Sequence, residues 1–244
     1  MSEIKEEVTT EEIRILSLEN EFDDKLTKYK STATNSVFPL TNIRGIVIHQ
    51  GIYIGTDPIV NKDTVEDIIP YLIKTKQNPY HFIIDRNGDI FQLNPIDRCV
   101  KHCKASHYTK KAQDYFGEMV CPSWTESERN PHPESNPDNC TVSILLPMND
   151  EVGHIGTNAY NSMIKLCAYI INKYAKGLQG VSSVFTPDWI SEDFKLPICF
   201  KNDKELLTRT KYDIEKKRSS WWIHYKSDER GYPNEIIQDV VLKK

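Results

Sequence analysis

Apolar positions along the chain follow two different periods, and their order predicts a sheet covered by helices. Gly45-Ile-Val-Ile-His49 is a continuous apolar run bounded by glycine and ending in histidine. Such a run suits a central strand buried on both faces. Cys140-Thr-Val-Ser-Ile-Leu-Leu146 reads as a second strand, and Val181 to Thr186 as a third. Between the first two, Phe82-Ile-Ile84 and Ile90-Phe-Gln-Leu93 flank Arg86-Asn-Gly-Asp89. Asn-Gly tolerates φ > 0 at both central positions of a two-residue turn, so residues 80–93 predict a β-hairpin. Tyr80 and His81 stand at its start, placed to face a cleft.

The helical period is clearest where Tyr160, Met163, Ile164, Cys167, Ile170, Ile171 and Tyr174 recur at i, i+3, i+4, i+7. Thr157 caps this helix and Gly177 ends it. Asp63-Thr-Val-Glu66 reads as a capping box opening a second helix, with Val65, Ile68, Ile69, Leu72 and Ile73 on its apolar face. Pro70 predicts a kink in it. Residues 117–139 read as a long loop, 187–202 as irregular, and Asp203 to Arg218 as a charged helix. Trp221-Trp-Ile-His224 repeats the pattern of residues 45–49, an apolar β run ending in histidine. At the N-terminus Ile13, Leu16, Phe22, Leu26 and Tyr29 recur at roughly helical spacing among charges. The expected organisation is a helical arm and linker over 1–40, then one domain over 41–244 with an insertion at about 181–219.

Composition narrows the function classes. The chain has 244 residues, 39% hydrophobic and 27% charged, as in ordinary globular proteins. A net charge of -4 supplies no basic field for nucleic acid. No apolar run approaches the ~20 residues of a membrane helix. The acidic start MSEIKEEVTTEE has no apolar core, so no secretory signal is expected. That implies synthesis in the cytoplasm, with release by lysis or incorporation in a particle as routes out. Six scattered cysteines without a C-x-x-C pair are not a disulfide framework, and Cys167 reads as core.

Candidate chemistry sits at strand ends. His49 and His224 each close an apolar run, and strand ends in α/β sheets commonly carry ligands. Cys99, His102, Cys103 and His107 place four potential metal ligands within nine residues. Their spacing fits no common structural zinc pattern, and the segment reads as a cleft rim.

These features together resemble the zinc-dependent N-acetylmuramoyl-L-alanine amidases, the amidase type-2 fold of phage lysozyme-like amidases, autolysins and peptidoglycan recognition proteins. The resemblance rests on IVIH ending at His49, on YHFIIDRNGDIFQL over 80–93, on the segment containing His102, and on the strand and helix over 138–177. It ends at His224 and residues 221–233. It implies an α/β fold with a mixed central β-sheet flanked by α-helices. It implies Zn²⁺ with a bound water, held by His49 and His224. Tyr80 matches the family's active-site tyrosine and His102 a histidine lining its cleft, a candidate substrate contact. The implied substrate is bacterial peptidoglycan, cleaved between the lactyl group and L-alanine.

One segment departs from the family pattern. After the second histidine the family carries Lys-x-Cys-Pro, with cysteine as third ligand. Here Arg230 takes the lysine's place, Tyr232 the cysteine's, and Pro233 follows. A phenol with a pKa near ~10 is a poor zinc ligand. Asp228, four residues after His224, is the alternative third ligand. Two readings follow. One is a phage-associated amidase in which Tyr80 and Arg230 stabilise the developing oxyanion. The other is a degenerate amidase fold that binds cell wall or serves a tail or baseplate assembly, with residues 1–40 docking on partner chains.

Overall fold

A computed structural model describes residues 15–17, 43–54, 57–59, 68, 72, 80–96, 100, 102–103, 108–120, 137–146, 153–174, 180–228 and 237–238. The strands are β1 (Ile15–Ser17), β2 (Gly45–Gln50), β3 (Ile52–Ile54), β4 (Asp57–Ile59), β5 (Phe82–Ile84), β6 (Ile90–Gln92), β7 (Thr141–Leu146), β8 (Val184–Phe185) and β9 (Ile237–Gln238). The helices are α1 (Lys110–Val120), α2 (Thr157–Lys173), α3 (Pro187–Ile190), α4 (Ile198–Asn202) and α5 (Leu206–Asp228).

Seven strands form one mixed sheet in the order β8-β2-β7-β5-β6-β1-β9, and β3 pairs with β4 as a separate hairpin. Strands β8, β2, β7 and β5 run parallel. The turn from β5 to β6 reverses direction. All six positions of β2 and of β7 are buried, as continuous apolar runs require. Alternation then sorts their side chains. Ile46, Ile48, Val142, Ile144, Leu146, Phe82 and Ile84 pack with α2, Phe200 of α4 and Ile214 of α5. Val47 packs on the opposite face with Phe185, with Ala112 and Phe116 of α1, and with Ile190 of α3.

The β5–β6 hairpin forms where expected, but its connection differs. Ile84 pairs with Ile90, so five residues join the strands rather than two. Asp85 organises them: its Oδ1 accepts the N–H groups of Asn87 (2.9 Å) and Asp89 (3.0 Å). The Gly88 N–H donates to the Asp85 carbonyl at 3.0 Å, and Gly88 adopts φ 88°. An aspartate that bonds its own turn outcompetes the tighter Asn-Gly geometry. A Cβ on Gly88 would lie 2.8 Å from the Asn158 carbonyl oxygen, while Ser162 Oγ donates to the Gly88 carbonyl at 2.6 Å. Gly88→Ala is therefore expected to lower unfolding free energy by at least about 1–2 kcal/mol, the left-handed backbone penalty alone. A urea midpoint unchanged from wild type would refute this.

Four further expectations are revised. Residues Ile15–Ser17 of the N-terminal arm form a strand parallel to β6 rather than helix, and the arm's other positions lie outside the described residues. Residues 117–120 continue α1, whose Ala112 N–H is capped by Thr109 Oγ1 at 3.1 Å. Gly156, not Thr157, is the N-cap of α2. Trp221–His224 is helical, part of α5. No glycine or proline interrupts the chain from Leu206 until Gly231, so the helix begun at Leu206 has no breaker there. Ile68 and Leu72 are helical and buried, as the capping box anticipates, while Pro70 and Gly177 lie outside the described residues. The region 181–219 supplies β8 to the central sheet and most of α5, which packs on α2.

Candidate functional site

The parallel direction of β2, β7 and β8 brings their carboxyl ends to one edge of the sheet, the edge where α/β folds bind ligands. His49 is the penultimate residue of β2, opposite Leu145 of β7. It shares the face of Val47 and is 7% exposed. The Tyr80 ring stands edge-on to it at 5.4 Å between centroids, and the Phe194 ring at 6.1 Å. Both are half-buried. Phe194 is carried there by the turn after α3. The Phe194 N–H bonds the Ser191 carbonyl, and Ser191 bridges to Tyr108 at the foot of α1. No local pattern points to Phe194, because its approach depends on that long-range bridge.

His102 lies beneath His49. Its Nδ1 is 3.1 Å from His49 Nε2, and its Nε2 is 2.8 Å from Thr141 Oγ1. Thr141 Oγ1 in turn donates to the Pro137 carbonyl at 2.6 Å. Asp138 Oδ1 accepts the backbone N–H groups of His102 (2.9 Å) and Cys103 (2.7 Å). Cys103 Sγ is 3.1 Å from His102 Nδ1. The expected cleft rim is thus turned inward at these two positions: both are buried, and the His102 side chain is 0% exposed. In this conformation His102 has no surface to offer a substrate. The physical reason is Asp138, whose carboxylate collects both backbone donors and draws the segment under the sheet edge.

His81, expected to face a cleft, is also fully buried. Its N–H donates to Ser143 Oγ at 3.0 Å, and its Nδ1 accepts the Ser143 N–H at 3.0 Å. It ties β5 to β7. Thr141 and Ser143 are the polar members of β7, and each receives one histidine on the same sheet face. That alternation was the available sequence signal for a polar layer inside the fold.

Burial sets the charge state of this layer. It lowers the His49 pKa to about 3. His102 is held well below the usual histidine value by burial first, then by His49 and His81. Burial, helped by Asp138 and Cys140, pushes the Cys103 thiol well up. At neutral pH both imidazoles are uncharged and the thiol keeps its proton. A neutral imidazole is the form that binds metal, whereas a protonated thiol is inert.

The zinc implied by the resemblance can be tested against these donors. Among the described residues, the one group of three His, Cys, Asp or Glu side chains with mutually close ligand atoms is His102, Cys103 and Asp138, within 4.8 Å. Nitrogen, sulfur and oxygen donors of this kind suit zinc. But all three are buried and hydrogen-bonded, so the cluster has no open position for a water. His49 fits better as the anchor of an open site, a neutral imidazole at the sheet edge. His224 and Asp228 fall four residues apart in α5. Their side chains lie outside the described residues, as do Arg230 and Tyr232 altogether.

Comparison with known proteins bears on the family and the fold. The family model described as N-acetylmuramoyl-L-alanine amidase matches residues 39–187, more than half of the chain. No curated protein matches the chain in sequence. Among solved structures, PlyL is similar at 13% identity, with a TM-score of 0.51 over 83% of this chain and 96% of that one. The PlyG catalytic domain gives 11% identity and a TM-score of 0.52, covering 84% and 94%. A mutant endolysin from Bacillus subtilis gives 11% and 0.50, covering 82% and 97%. At such identities these likenesses speak for the fold: a mixed sheet flanked by helices. Among the described residues no helix is long and apolar enough to cross a membrane.

Proposed function

Because the chain belongs to the N-acetylmuramoyl-L-alanine amidase family, we propose that it hydrolyses the amide between the lactyl group of N-acetylmuramic acid and L-alanine in peptidoglycan. Family membership makes it a peptidoglycan amidase-like hydrolase. The bond, the metal and the residues named below are the finer reading. The observation that carries it is His49, a neutral imidazole at the carboxyl edge of a parallel strand, with Tyr80 edge-on beside it.

In this reading His49, His224 and Asp228 hold a zinc ion. Zinc, when bound, lowers the pKa of its water and polarises the scissile carbonyl. The chain's own groups do the rest. Tyr80 and Arg230 donate to the carbonyl oxygen as negative charge develops on it. Phe194 and the ring of Tyr80 restrict water around His49, which strengthens those electrostatic contacts. Release at lysis, or carriage in a phage particle with residues 1–40 on a partner chain, suits this substrate. Recovery of the protein with purified particles tests the second route.

The purified chain is expected to carry about one zinc per molecule and to release L-alanine-linked peptides from peptidoglycan. Metal analysis without zinc, together with no cleavage in zinc-supplemented buffer, would sink the catalytic reading. A wall-binding domain of the same fold is then the second reading. One feature of the sequence favours it: Tyr232 stands where the family carries its cysteine ligand. Sedimentation with intact cell walls tests that role, and failure to co-sediment removes it.

A further inference from the structure

The hydrogen bonds under His49 fix where its proton sits. Thr141 has one hydroxyl proton, and the Pro137 carbonyl takes it at 2.6 Å. Thr141 Oγ1 can then only accept from His102 Nε2 at 2.8 Å, so His102 carries its proton on Nε2. A neutral imidazole has one N–H, which leaves His102 Nδ1 as a bare lone pair. His49 Nε2 faces that lone pair at 3.1 Å. Two bare nitrogens at this distance would repel, so the proton between them belongs to His49. Cys103 Sγ, also 3.1 Å from His102 Nδ1, is a weak donor to the same lone pair and does not change the assignment. The other His49 nitrogen, Nδ1, has no hydrogen-bond partner among the described residues. Nor is it one of their buried side-chain atoms without a hydrogen bond.

We propose that His102 and Thr141 are positioning residues that lock His49 in the Nε2–H tautomer, leaving Nδ1 as its metal-binding atom. This rests on the reading of His49 as a metal ligand. The chain of donors runs one way: His49 Nε2–H to His102 Nδ1, His102 Nε2–H to Thr141 Oγ1, Thr141 O–H to the Pro137 carbonyl. Its far end is fixed, because a carbonyl can only accept. Asp138 holds the second ring in register by gripping the backbone of residues 102 and 103. A partner on the second nitrogen is how metal-binding histidines are generally oriented, here supplied by an imidazole and a hydroxyl in series.

The decisive variant is Thr141→Val, which keeps the side chain's shape and removes the hydroxyl. His102 can then move its proton to Nδ1 and donate to His49 Nε2, which puts the His49 proton on Nδ1 and blocks that atom. Two-bond ¹H–¹⁵N NMR of the full chain labelled at histidine reads the tautomer directly. In the metal-free wild type at neutral pH, His49 should show a protonated Nε2 and a bare Nδ1. In Thr141→Val the Nδ1–H form should grow, and zinc affinity measured by competition with a chromophoric chelator should fall about 10–100-fold. Thr141→Ser should restore both. A wild-type His49 protonated at Nδ1 overturns the proposal. So does Thr141→Val with unchanged tautomer and unchanged zinc affinity in a protein that melts as wild type does. A wild type that binds no zinc removes the catalytic reading instead, while the NMR spectrum still decides the tautomer.

Discussion

Replacing His49 with alanine should reduce cleavage of the muramoyl–L-alanine amide by roughly three orders of magnitude or more, the scale at which a metal-polarised transition state loses its electrostatic support. Bound zinc should fall in parallel. The fold should survive, because the side chain lies at the sheet edge, outside the apolar layer against α2. Its removal takes the donor from His102 Nδ1, where the Cys103 thiol lies at 3.1 Å. The cost of a partner lost in a buried position is about 1–3 kcal/mol, well inside the usual stability of a domain this size. Circular dichroism and a thermal melt establish that the variant is folded before its activity is compared. Activity within tenfold of wild type in a folded, zinc-supplemented variant would remove His49 from the reaction and the open site with it.

What the sequence disclosed of this site follows from how far apart the determining contacts lie along the chain. His49 was legible because a buried strand announces itself by a continuous apolar run, and the histidine is the first polar residue to break it. Tyr80 was legible for the same local reason, at the start of a hairpin. The inward position of His102 was not, since it is set by Asp138 and Thr141, more than thirty residues later. Trp221–His224 reads as a strand by residue type, but tryptophan and isoleucine favour strands only when a sheet is there to receive them. What decided the matter was the uninterrupted helix arriving from Leu206. That change of state alters the chemistry expected of His224. At a strand end it would act alone, whereas in α5 it lies four residues before Asp228 in the same helix.

The polar layer has a common origin in β7. Its residues facing α2 and α5 are Val142, Ile144 and Leu146, and all three are core. Its residues on the other face begin Thr141, Ser143. A strand that is buried on both faces yet keeps two hydroxyls on one of them must satisfy them internally. It does so with His102 and His81. The Thr141 hydroxyl that completes the fold therefore also holds the His102 ring that meets His49, so at that point packing and site are one set of contacts. Gln50, on the opposite face, serves the fold alone. Its amide donates to the Gly153 carbonyl at 2.8 Å, and its carbonyl accepts the Cys199 N–H at 2.9 Å, clipping α4 to the sheet.

Acid should destabilise the metal-free protein in a pH range where carboxylates are still ionised. His49 titrates near 6.5 when unfolded and at about 3 when folded. Between those values the unfolded chain binds a proton that the folded chain refuses. Stability is therefore complete above about pH 6.5–7 and falls as pH falls, by up to about 1.4 kcal/mol per pH unit for this group. His102, lowered by burial and by its two neighbours, acts in the same direction. Urea unfolding of the metal-free chain at pH 7.5, 6 and 5 should show a steady decline, set before Asp and Glu begin to protonate. His49→Gln should be less steep than wild type over the same interval. A wild-type profile flat from pH 7.5 to 5 would mean that burial does not lower the pKa of these rings. Added zinc should steepen the decline, because the ion and the proton compete for the same neutral imidazole.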